Sequence, residues 1–286
     1  MEPEKPHQPE EQQPQEIQQP AQPPEVLLPG IAAQMRAALS NLHLAAIQLA
    51  PPAKRDEDPE LDQRAAVLDQ SYYRLLRLVN NLTAAQIFQK EGPLPLQDLD
   101  VVQVVGDLCD QAEGLAGLLG LTFTFRCRTP RHICAVNREG IEQLLYQLLS
   151  NAFKFTPAGG SVTVELKCAG GKMLLSVTDS GCGIPPEQME VLFERYRHPE
   201  RIAPQPHGLG LGLSLCARIA EGLGGRLLAE SQPEKGSRFT LAFPDCLVGS
   251  GGVSDVAFDY AGGFNRTLLA LSDALPPQAF LQRNLD

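Results

Sequence analysis

Three absences limit what this chain of 286 residues can be. It contains no run of roughly 18 apolar residues, the length that a membrane-spanning helix needs. Its first residues contain no basic stretch leading into an apolar one, so we expect no secretory signal. It has no block of lysine and arginine, and its formal net charge is −10. Basic side chains dominate binding to the phosphate backbone of nucleic acids, so we expect no nucleic-acid partner. From the missing apolar run and secretory signal we expect a cytoplasmic protein with no membrane insertion.

Cysteine and histidine also lack the spacings that build disulfide frameworks or metal sites. The seven cysteines and five histidines are scattered singly, and no C-x-x-C pair occurs. This pattern favours reduced thiols in a cytoplasm over a disulfide-bonded scaffold or a zinc site.

The N-terminal third combines a polar tail with two periodic segments. Residues 1–25 are mainly proline, glutamine and glutamate, which predicts a disordered tail. Within residues 26–90, small or apolar residues recur at alternating spacings of three and four. They are Ala32, Met35, Leu39, Leu42, Ala46 and Leu49, then Leu61, Ala65, Leu68, Tyr72, Leu75, Val79 and Leu82. This spacing predicts an antiparallel helical hairpin with coiled-coil seams.

A lone hairpin has too little core to be stable, so this one needs a partner. We expect it to pair with a second copy of the chain as a four-helix bundle, which makes the protein a homodimer. The alternative is that the hairpin packs on the C-terminal domain of its own chain.

Residues 95–245 alternate between helix and strand patterns. Helices are predicted at about 99–118 and 138–153, with a third that begins near Ile219 at the latest. Strands are predicted at 121–128, 161–169, 172–180, 225–231 and 237–244. Helices among mainly hairpin-joined strands predict an α+β protein in which an α/β sandwich has a mixed sheet with helices on one face. Residues 246–286 form a tail with a short amphipathic helix, at about 265–275, that two prolines end.

The segment HGLGLGLSL, residues 207–215, has a density of glycine typical of backbone that approaches an anion. A P-loop is excluded because no lysine follows the glycines as G-x-x-x-x-G-K-[ST] requires. A dinucleotide-binding loop needs a preceding strand of a βαβ unit, which is missing here. A protein-kinase loop lies in a β-hairpin, whereas these glycines open a helix. The glycines alone therefore leave the type of phosphate site open.

Three further motifs precede the glycine loop, and they decide its type. They are YQLLSNAFKFTPAGG (146–160), VTDSGCGIPP (177–186) and LFERYR (192–197). In this order the four segments resemble the N, G1, F and G2 boxes of the ATPase superfamily of gyrase, Hsp90, histidine kinases and MutL. The resemblance is closest to the histidine-kinase branch and covers about residues 95–245.

This resemblance implies ATP and Mg²⁺ as cofactors and a role for each matching residue. Asp179 would accept a hydrogen bond from the adenine amino group, and Ser237 would bring a hydroxyl near the same carboxylate. Asn151 would supply an oxygen to Mg²⁺, which takes few protein ligands, and Lys154 would face a phosphate. The glycines of the last box would open a helix N-terminus, where free N–H groups favour an anion. The other ATP-binding residues implied are Gly181, Gly183, Ile184, Phe193, Gly208, Gly210, Leu211, Gly212 and Leu213.

Two departures from the family pattern concern the chemistry. Gln147 stands where gyrase and Hsp90 have a glutamate as general base, and glutamine cannot take a proton, so we do not expect rapid ATP hydrolysis. The segment AQMRAAL (33–39) resembles the phosphoacceptor pattern H-E-L-R-T-P-L, but Ala33 occupies the acceptor position and Gln34 the acid/base position. A methyl group cannot attack phosphorus, so we expect no autophosphorylation at this position. His43 lies about 80° from Ala33 around the helix, so it cannot replace the acceptor, and we expect it on the polar face of the helix.

Three functions stay open at this point. The first is an ATP-binding signalling protein of the sensor histidine kinase family that cannot phosphorylate itself at the usual position and works with a response regulator or a partner kinase. The second is a histidine-kinase-type phosphotransferase that acts in trans on a partner protein. The third is a non-enzymatic dimeric module whose tail helix docks a partner, although packing of that helix on its own domain is favoured.

Overall fold

The structure, a computed structural model, describes residues 24–87, 94–189, 211–249 and 265–285. The predicted disorder of residues 1–23 falls outside these ranges. The described part begins with three helices, α1 (Pro24–Leu49), α2 (Pro52–Glu57) and α3 (Pro59–Ile87). Because α1 begins at Pro24, the last two residues of the predicted tail belong to the hairpin instead.

Prolines and one aspartate set the turn between the long helices. Pro51 and Pro52 follow α1, and Pro52 is the first residue of α2, where a missing N–H costs no helical hydrogen bond. Asp58 then caps α3, because its Oδ1 accepts hydrogen bonds from the backbone N–H groups of Glu60 and Leu61. The chain reverses over these few residues, and α1 packs along α3.

The second domain is built on a five-stranded mixed sheet. Its elements are β1 (Gln97–Asp100), α4 (Val101–Leu118), β2 (Thr122–Cys127), β3 (Ile133–Val136), α5 (Arg138–Phe155), β4 (Ser161–Ala169), β5 (Lys172–Asp179), α6 (Leu211–Gly222), β6 (Arg226–Gln232) and β7 (Gly236–Pro244). The strand order is β2-β4-β5-β7-β6, in which β2 and β4 run parallel and all other neighbours antiparallel. This arrangement confirms the predicted fold class.

Two short strands, β1 and β3, were not predicted from the sequence. β1 and β3 pair as a separate antiparallel ribbon, with Gln97 opposite Val136. Each has only four residues, too few for an alternation of polar and apolar positions to be recognised. As a result α4, predicted from about residue 99, begins at Val101, where Asp100 caps it by accepting from the N–H of Val102 and Gln103.

The core of this domain lies between the sheet and helices α4, α5 and α6. Alternate residues of the central strands point into it, as period-two burial requires. They include Val162, Val164 and Leu166 of β4, Met173, Leu175 and Val177 of β5, and Phe239, Leu241 and Phe243 of β7. Helix α5 is buried along most of its length, which holds its C-terminal end firmly against the sheet.

The C-terminal segment packs on its own chain. It contains α7 (Arg266–Leu271), shorter than predicted, followed by two 3₁₀ turns at Pro277–Phe280 and Gln282–Asn284. Leu268, Leu269 and Leu271 are buried, and the segment contacts both α5 of the second domain and α3 of the hairpin. The hairpin therefore packs in part on its own chain, which is the alternative to pairing with a second copy.

The predicted hairpin seam divides into a buried and an exposed half. Every second seam position is buried or half-buried, such as Leu39 on α1 and Tyr72 on α3. The intervening positions repeat every seven residues. Leu61 and Leu82 are half-buried, and the other five are exposed, namely Met35, Leu42 and Leu49 on α1 and Leu68 and Leu75 on α3. One hairpin thus uses only half of its apolar seam.

In the described part of the chain, no helix combines the length and hydropathy that crossing a membrane requires.

Candidate nucleotide-binding site

Asp179 occupies the end of β5 at the centre of the candidate site. Its Oδ1 accepts hydrogen bonds from the backbone N–H of Gly181 at 2.8 Å and of Ser237 at 3.3 Å. Among the described residues no donor contacts Oδ2, so that oxygen is available to a ligand. Burial raises the pKa of this carboxyl above its usual value, although the two N–H groups oppose the rise.

Glycine is required where the chain turns after Asp179. Gly183 has φ of +67°, and a Cβ at this residue would lie 2.0 Å from the carbonyl oxygen of Gln232. A Cβ at Gly181 would lie 2.4 Å from the carbonyl oxygen of Phe155, at the end of α5. The two glycines therefore let the turn approach α5 on one side and the β6–β7 hairpin on the other.

Gly236 belongs to the same site but was missed in the sequence. It has φ of +96°, and a Cβ there would lie 1.9 Å from the backbone oxygen of Asp179. This close approach brings β7 against the carboxylate. The glycine in KGSRF, directly before Ser237, was the available signal.

Ser237 lies beside Asp179, but it does not contact the carboxylate through its hydroxyl, as the resemblance implied. Its backbone N–H, not its hydroxyl, reaches the carboxylate. The hydroxyl pairs with Ser231 Oγ at 3.0 Å, and Ser231 Oγ also accepts from the N–H of Ile184 at 2.8 Å. Ser231, which no sequence motif singled out, therefore ties the G1 turn to the strands beside it.

Asn151 and Lys154 lie one turn apart near the C-terminal end of α5, and both are half-buried. The G1 turn meets this end directly, because the N–H of Cys182 donates to the carbonyl of Phe155 at 3.3 Å. Lys154 Nζ is 2.9 Å from Oδ2 of Asp273 in the C-terminal segment. The structure thus joins the N and G1 boxes and adds an acidic residue that the sequence analysis did not place there.

Only part of the G2 box falls within the described residues. Leu211 is the first residue of α6, Gly212 follows it, and Leu213 is half-buried. A Cβ at Gly212 would lie 3.0 Å from Oε1 of Gln147, so α6 begins beside α5. The remaining predicted residues lie outside the described ranges, namely Phe193, Gly208, Gly210 and the side chain of Leu211.

Gln147 uses its amide to hold the hairpin. Its Nε2 donates to Asn81 Oδ1 at 2.7 Å, and its Oε1 accepts from Arg77 at 3.0 Å. Arg77 also donates to Ser150 Oγ at 2.9 Å. Burial lowers the pKa of this guanidinium to about 10. Gln147 stands where gyrase and Hsp90 have a general base, and here its side chain makes a structural contact with the hairpin.

Of the hairpin residues singled out in the sequence, His43 differs from its predicted position. Ala33 and Gln34 are exposed on α1. His43 does not lie on a polar face as expected, because its ring stacks on Tyr72 at 4.3 Å and its Nδ1 lies 3.9 Å from Asp69 Oδ1. Burial lowers its pKa, although Asp69 opposes the shift. The packing of α1 on α3 turns this part of the helix inward, which the sequence pattern did not show.

The sequence of this chain is similar to a known ATPase family and to known sensor kinases. Residues 136–246 match the family described as "Histidine kinase-, DNA gyrase B-, and HSP90-like ATPase". The adaptive-response sensory kinase SasA of Synechocystis is 35% identical over 179 residues, which cover 62% of this chain and 45% of that protein. The Escherichia coli sensor protein KdpD is 29% identical over 185 residues, 64% of this chain and 20% of that protein. The chain spans about half the length, or less, of such relatives.

Among solved structures, full-length ShkA in complex with AMPPNP shares the fold. The TM-score is 0.62 at 22% sequence identity, over 78% of this chain and 46% of that one. The family match confirms the resemblance predicted from the four boxes.

Proposed function

Residues 136–246 form an ATPase domain of the histidine kinase, gyrase B and HSP90 family, and from this premise we propose that the chain is an ATP- and Mg²⁺-binding signal-transduction protein of the sensor histidine kinase family. We further propose that it does not phosphorylate itself at the usual helix position. The observation that carries the first proposal is Asp179, a half-buried carboxylate with one oxygen held by two backbone N–H groups and the other open.

The residues around Asp179 suit an adenine nucleotide. The open Oδ2 would accept a hydrogen bond from the adenine amino group. Asn151 would supply a hard oxygen ligand to Mg²⁺, and Lys154 would bind a phosphate as a cation. Bound Mg²⁺ would supply charge neutralisation of the triphosphate. The start of α6 would face the same phosphates with free backbone N–H groups.

The second proposal depends on Ala33 and Gln34. Neither side chain can act as a nucleophile or take its proton. His43, the only histidine on the hairpin, is stacked on Tyr72 with a side chain only 13% exposed, which disfavours in-line attack on ATP. An ATP site without an acceptor also suits phosphotransfer to a separate protein, so a phosphotransferase acting in trans is the alternative.

The homodimer belongs to this proposal as well. Met35, Leu42, Leu49, Leu68 and Leu75 form an exposed stripe with heptad spacing on both long helices. A second hairpin would bury this stripe as a four-helix bundle. The tail helix, by contrast, buries its leucines on its own chain, which counts against it as the docking site of a purely non-enzymatic module.

The test is incubation of the purified chain with γ-labelled Mg·ATP, with nucleotide affinity measured in parallel. Asn151→Ala and Asp179→Asn are the site variants, and Asp107→Asn, an exposed acid on α4, is the matched control. We expect binding in the wild type and the control, weak binding in both site variants, and no label on the chain. Acid-labile label that His43→Ala removes would contradict the second proposal, and equal binding by all four proteins would contradict the first.

A further inference from the structure

We propose that the C-terminal segment, residues 265–285, is a latch whose Asp273 competes with the nucleotide phosphates for Lys154. This inference rests on the proposed function, because only a nucleotide site gives Lys154 a phosphate as ligand. The carboxylate of Asp273 lies 2.9 Å from Lys154 Nζ, as a charge-assisted hydrogen bond requires.

Asp273 has the charge that such competition needs. Burial opposes its ionisation, but the hydrogen bond from Lys154 and the charges of Lys154 and Arg77 hold the pKa of this carboxyl below its usual value. It is therefore an anion at neutral pH. A phosphate that approaches Lys154 would be repelled by this carboxylate, so the two anions would compete for the same ammonium group.

The same segment is fastened to the hairpin at three backbone carbonyls. Arg55 donates to the carbonyl of Phe280 at 2.9 Å, Gln70 to that of Leu275 at 2.6 Å, and Arg74 to that of Ser272 at 3.1 Å. Ser272 is the neighbour of Asp273, so displacement of the carboxylate acts directly on one of these three contacts. Residues of α2 and α3 thus hold the segment on both sides of Asp273.

The segment is also fastened to the ATPase domain. The hydroxyl of Thr267 pairs with that of Tyr146 on α5 at 2.8 Å, and Leu268 and Leu271 are buried against the same domain. Tyr146 lies two turns before Lys154 on that helix. The latch therefore bridges the hairpin and the nucleotide-binding helix, and its release on nucleotide binding would loosen one from the other.

The test is the affinity of the full chain for the non-hydrolysable Mg·AMPPNP. We compare the wild type, Asp273→Asn, Lys154→Ala and the double variant, with Asp107→Asn as the control. Asp273→Asn should bind roughly two- to fivefold more tightly, the range expected for a partly exposed ion pair. The double variant should bind like Lys154→Ala, because without the ammonium group Asp273 has nothing to block.

The outcomes separate the latch from the proposed function. If the wild type binds and Asp273→Asn binds equally well, the latch is wrong while the nucleotide site stands. If no protein binds nucleotide, the proposed function fails and the competition fails with it. Thermal unfolding of Asp273→Asn shows whether the variant is folded, and Ser272→Ala, which keeps its backbone carbonyl and the carboxylate of Asp273, should leave affinity unchanged.

A different observation carries a second inference at the opposite end of the sheet. We propose that His132, Cys168 and Asp245 form a binding site for a borderline-soft divalent cation such as Zn²⁺. His132 Nε2 lies 2.8 Å from Asp245 Oδ1, and Cys168 Sγ lies 3.0 Å from Asp245 Oδ2. The three ligand atoms all lie within 4.8 Å of one another. Lys172, at the other end of β5 from Asp179, pairs with Pro244, so this cluster lies roughly 20 Å from the nucleotide site.

The ligand set suits zinc chemically. Imidazole nitrogen, thiolate sulfur and carboxylate oxygen are its usual ligands, and a set of three leaves the fourth position to water. His132 would bind the cation through Nε2 as the neutral imidazole with its proton on Nδ1, Cys168 would bind as the thiolate, and the thiol proton would be released to solvent. The sequence analysis disfavoured a zinc site because the cysteines and histidines are scattered singly along the chain; the fold brings His132, Cys168 and Asp245 together.

Titration of the metal-free chain with Co²⁺ tests this site, because a cobalt–thiolate bond has a characteristic charge-transfer absorption in the near ultraviolet. We expect the band in the wild type and in Cys127→Ser, a control thiol outside the cluster. Cys168→Ser should lose the band, and His132→Ala should weaken cobalt binding at least tenfold, as loss of one of three ligands implies. No band in the wild type, or a band that persists in Cys168→Ser, would overturn the site.

Discussion

At the scale of single residues, the candidate site depends on unusually close contacts between segments of backbone. Asp179 is held by N–H groups, and glycines at 183 and 236 allow the neighbouring strands to reach it. A Cβ at either glycine would overlap a backbone atom, which no rotamer change can relieve. The glycines therefore position the strands around the carboxylate that we propose binds adenine.

The first prediction concerns the pH dependence of nucleotide binding. Ligand recognition needs the ionised form of Asp179, and burial raises the pKa of this carboxyl. As pH falls, affinity should therefore begin to drop at a higher pH than an ordinary aspartate would cause. Asp179→Asn should bind roughly tenfold or more weakly at neutral pH, because its amide N–H₂ would face the adenine amino donor.

Calorimetric titration with Mg·AMPPNP between neutral and mildly acidic pH measures both effects. Asp107→Asn should follow the wild type throughout. An affinity of the wild type that stays constant as pH falls would contradict the assignment of Asp179.

At the scale of elements, α3 and α5 are joined by a small polar network inside an apolar contact. Arg77 donates to Gln147 and Ser150, and Asn81 accepts from Gln147 and from Gln143. Buried polar groups are stable only with such partners. The network therefore specifies one relative position of the hairpin and α5.

Arg77→Ala tests this network. Removal of the guanidinium leaves the buried oxygens of Gln147 and Ser150 without their donor, so we expect a loss of about 2 kcal/mol in the free energy of unfolding. Urea denaturation of the full chain measures it. Arg64→Ala, which removes an exposed arginine of the same helix, should change stability by less than about 0.5 kcal/mol. Equal losses in the two variants would show that the network contributes nothing.

At the scale of the whole molecule, the hairpin has two surfaces with different roles. One half of its seam packs within the chain, and α3 also packs on the C-terminal segment. The other half is exposed with heptad spacing, and Leu42 and Leu49 are 66% and 79% exposed. Intramolecular packing and pairing with a second copy are therefore compatible, since they use different faces of the same helices.

Leu42→Asp tests the pairing. An aspartate in the middle of the stripe would be buried without a partner in a four-helix bundle, so the variant should be monomeric at concentrations at which the wild type is dimeric. Light scattering after size-exclusion chromatography reports the mass. Leu118→Asp, at a leucine of α4 that is 46% exposed, is the matched control and should keep the mass of the wild type. A monomeric wild type would contradict the dimer.

The sequence by itself determined the features that depend on neighbours along the chain. The helical hairpin follows from its three-and-four spacing, β4 and β5 from their alternation, and the ATPase boxes from the order of short motifs. Asp179, Gly181 and Gly183 lie within one such motif, so their place in one turn could be predicted. The four-residue strands β1 and β3 could not, because periodicity needs length.

Only the tertiary structure decided which distant groups meet. Lys154 and Asp273 are 119 residues apart, and Arg55 and the carbonyl of Phe280 are 225 apart. No local pattern encodes such pairs, because they depend on how the hairpin, the sheet and the C-terminal segment pack together. The same packing turns His43 inward and gathers His132, Cys168 and Asp245 at one end of the sheet. Packing minimises exposed apolar surface over the whole chain at once, and so it places residues beyond the reach of any sequence window.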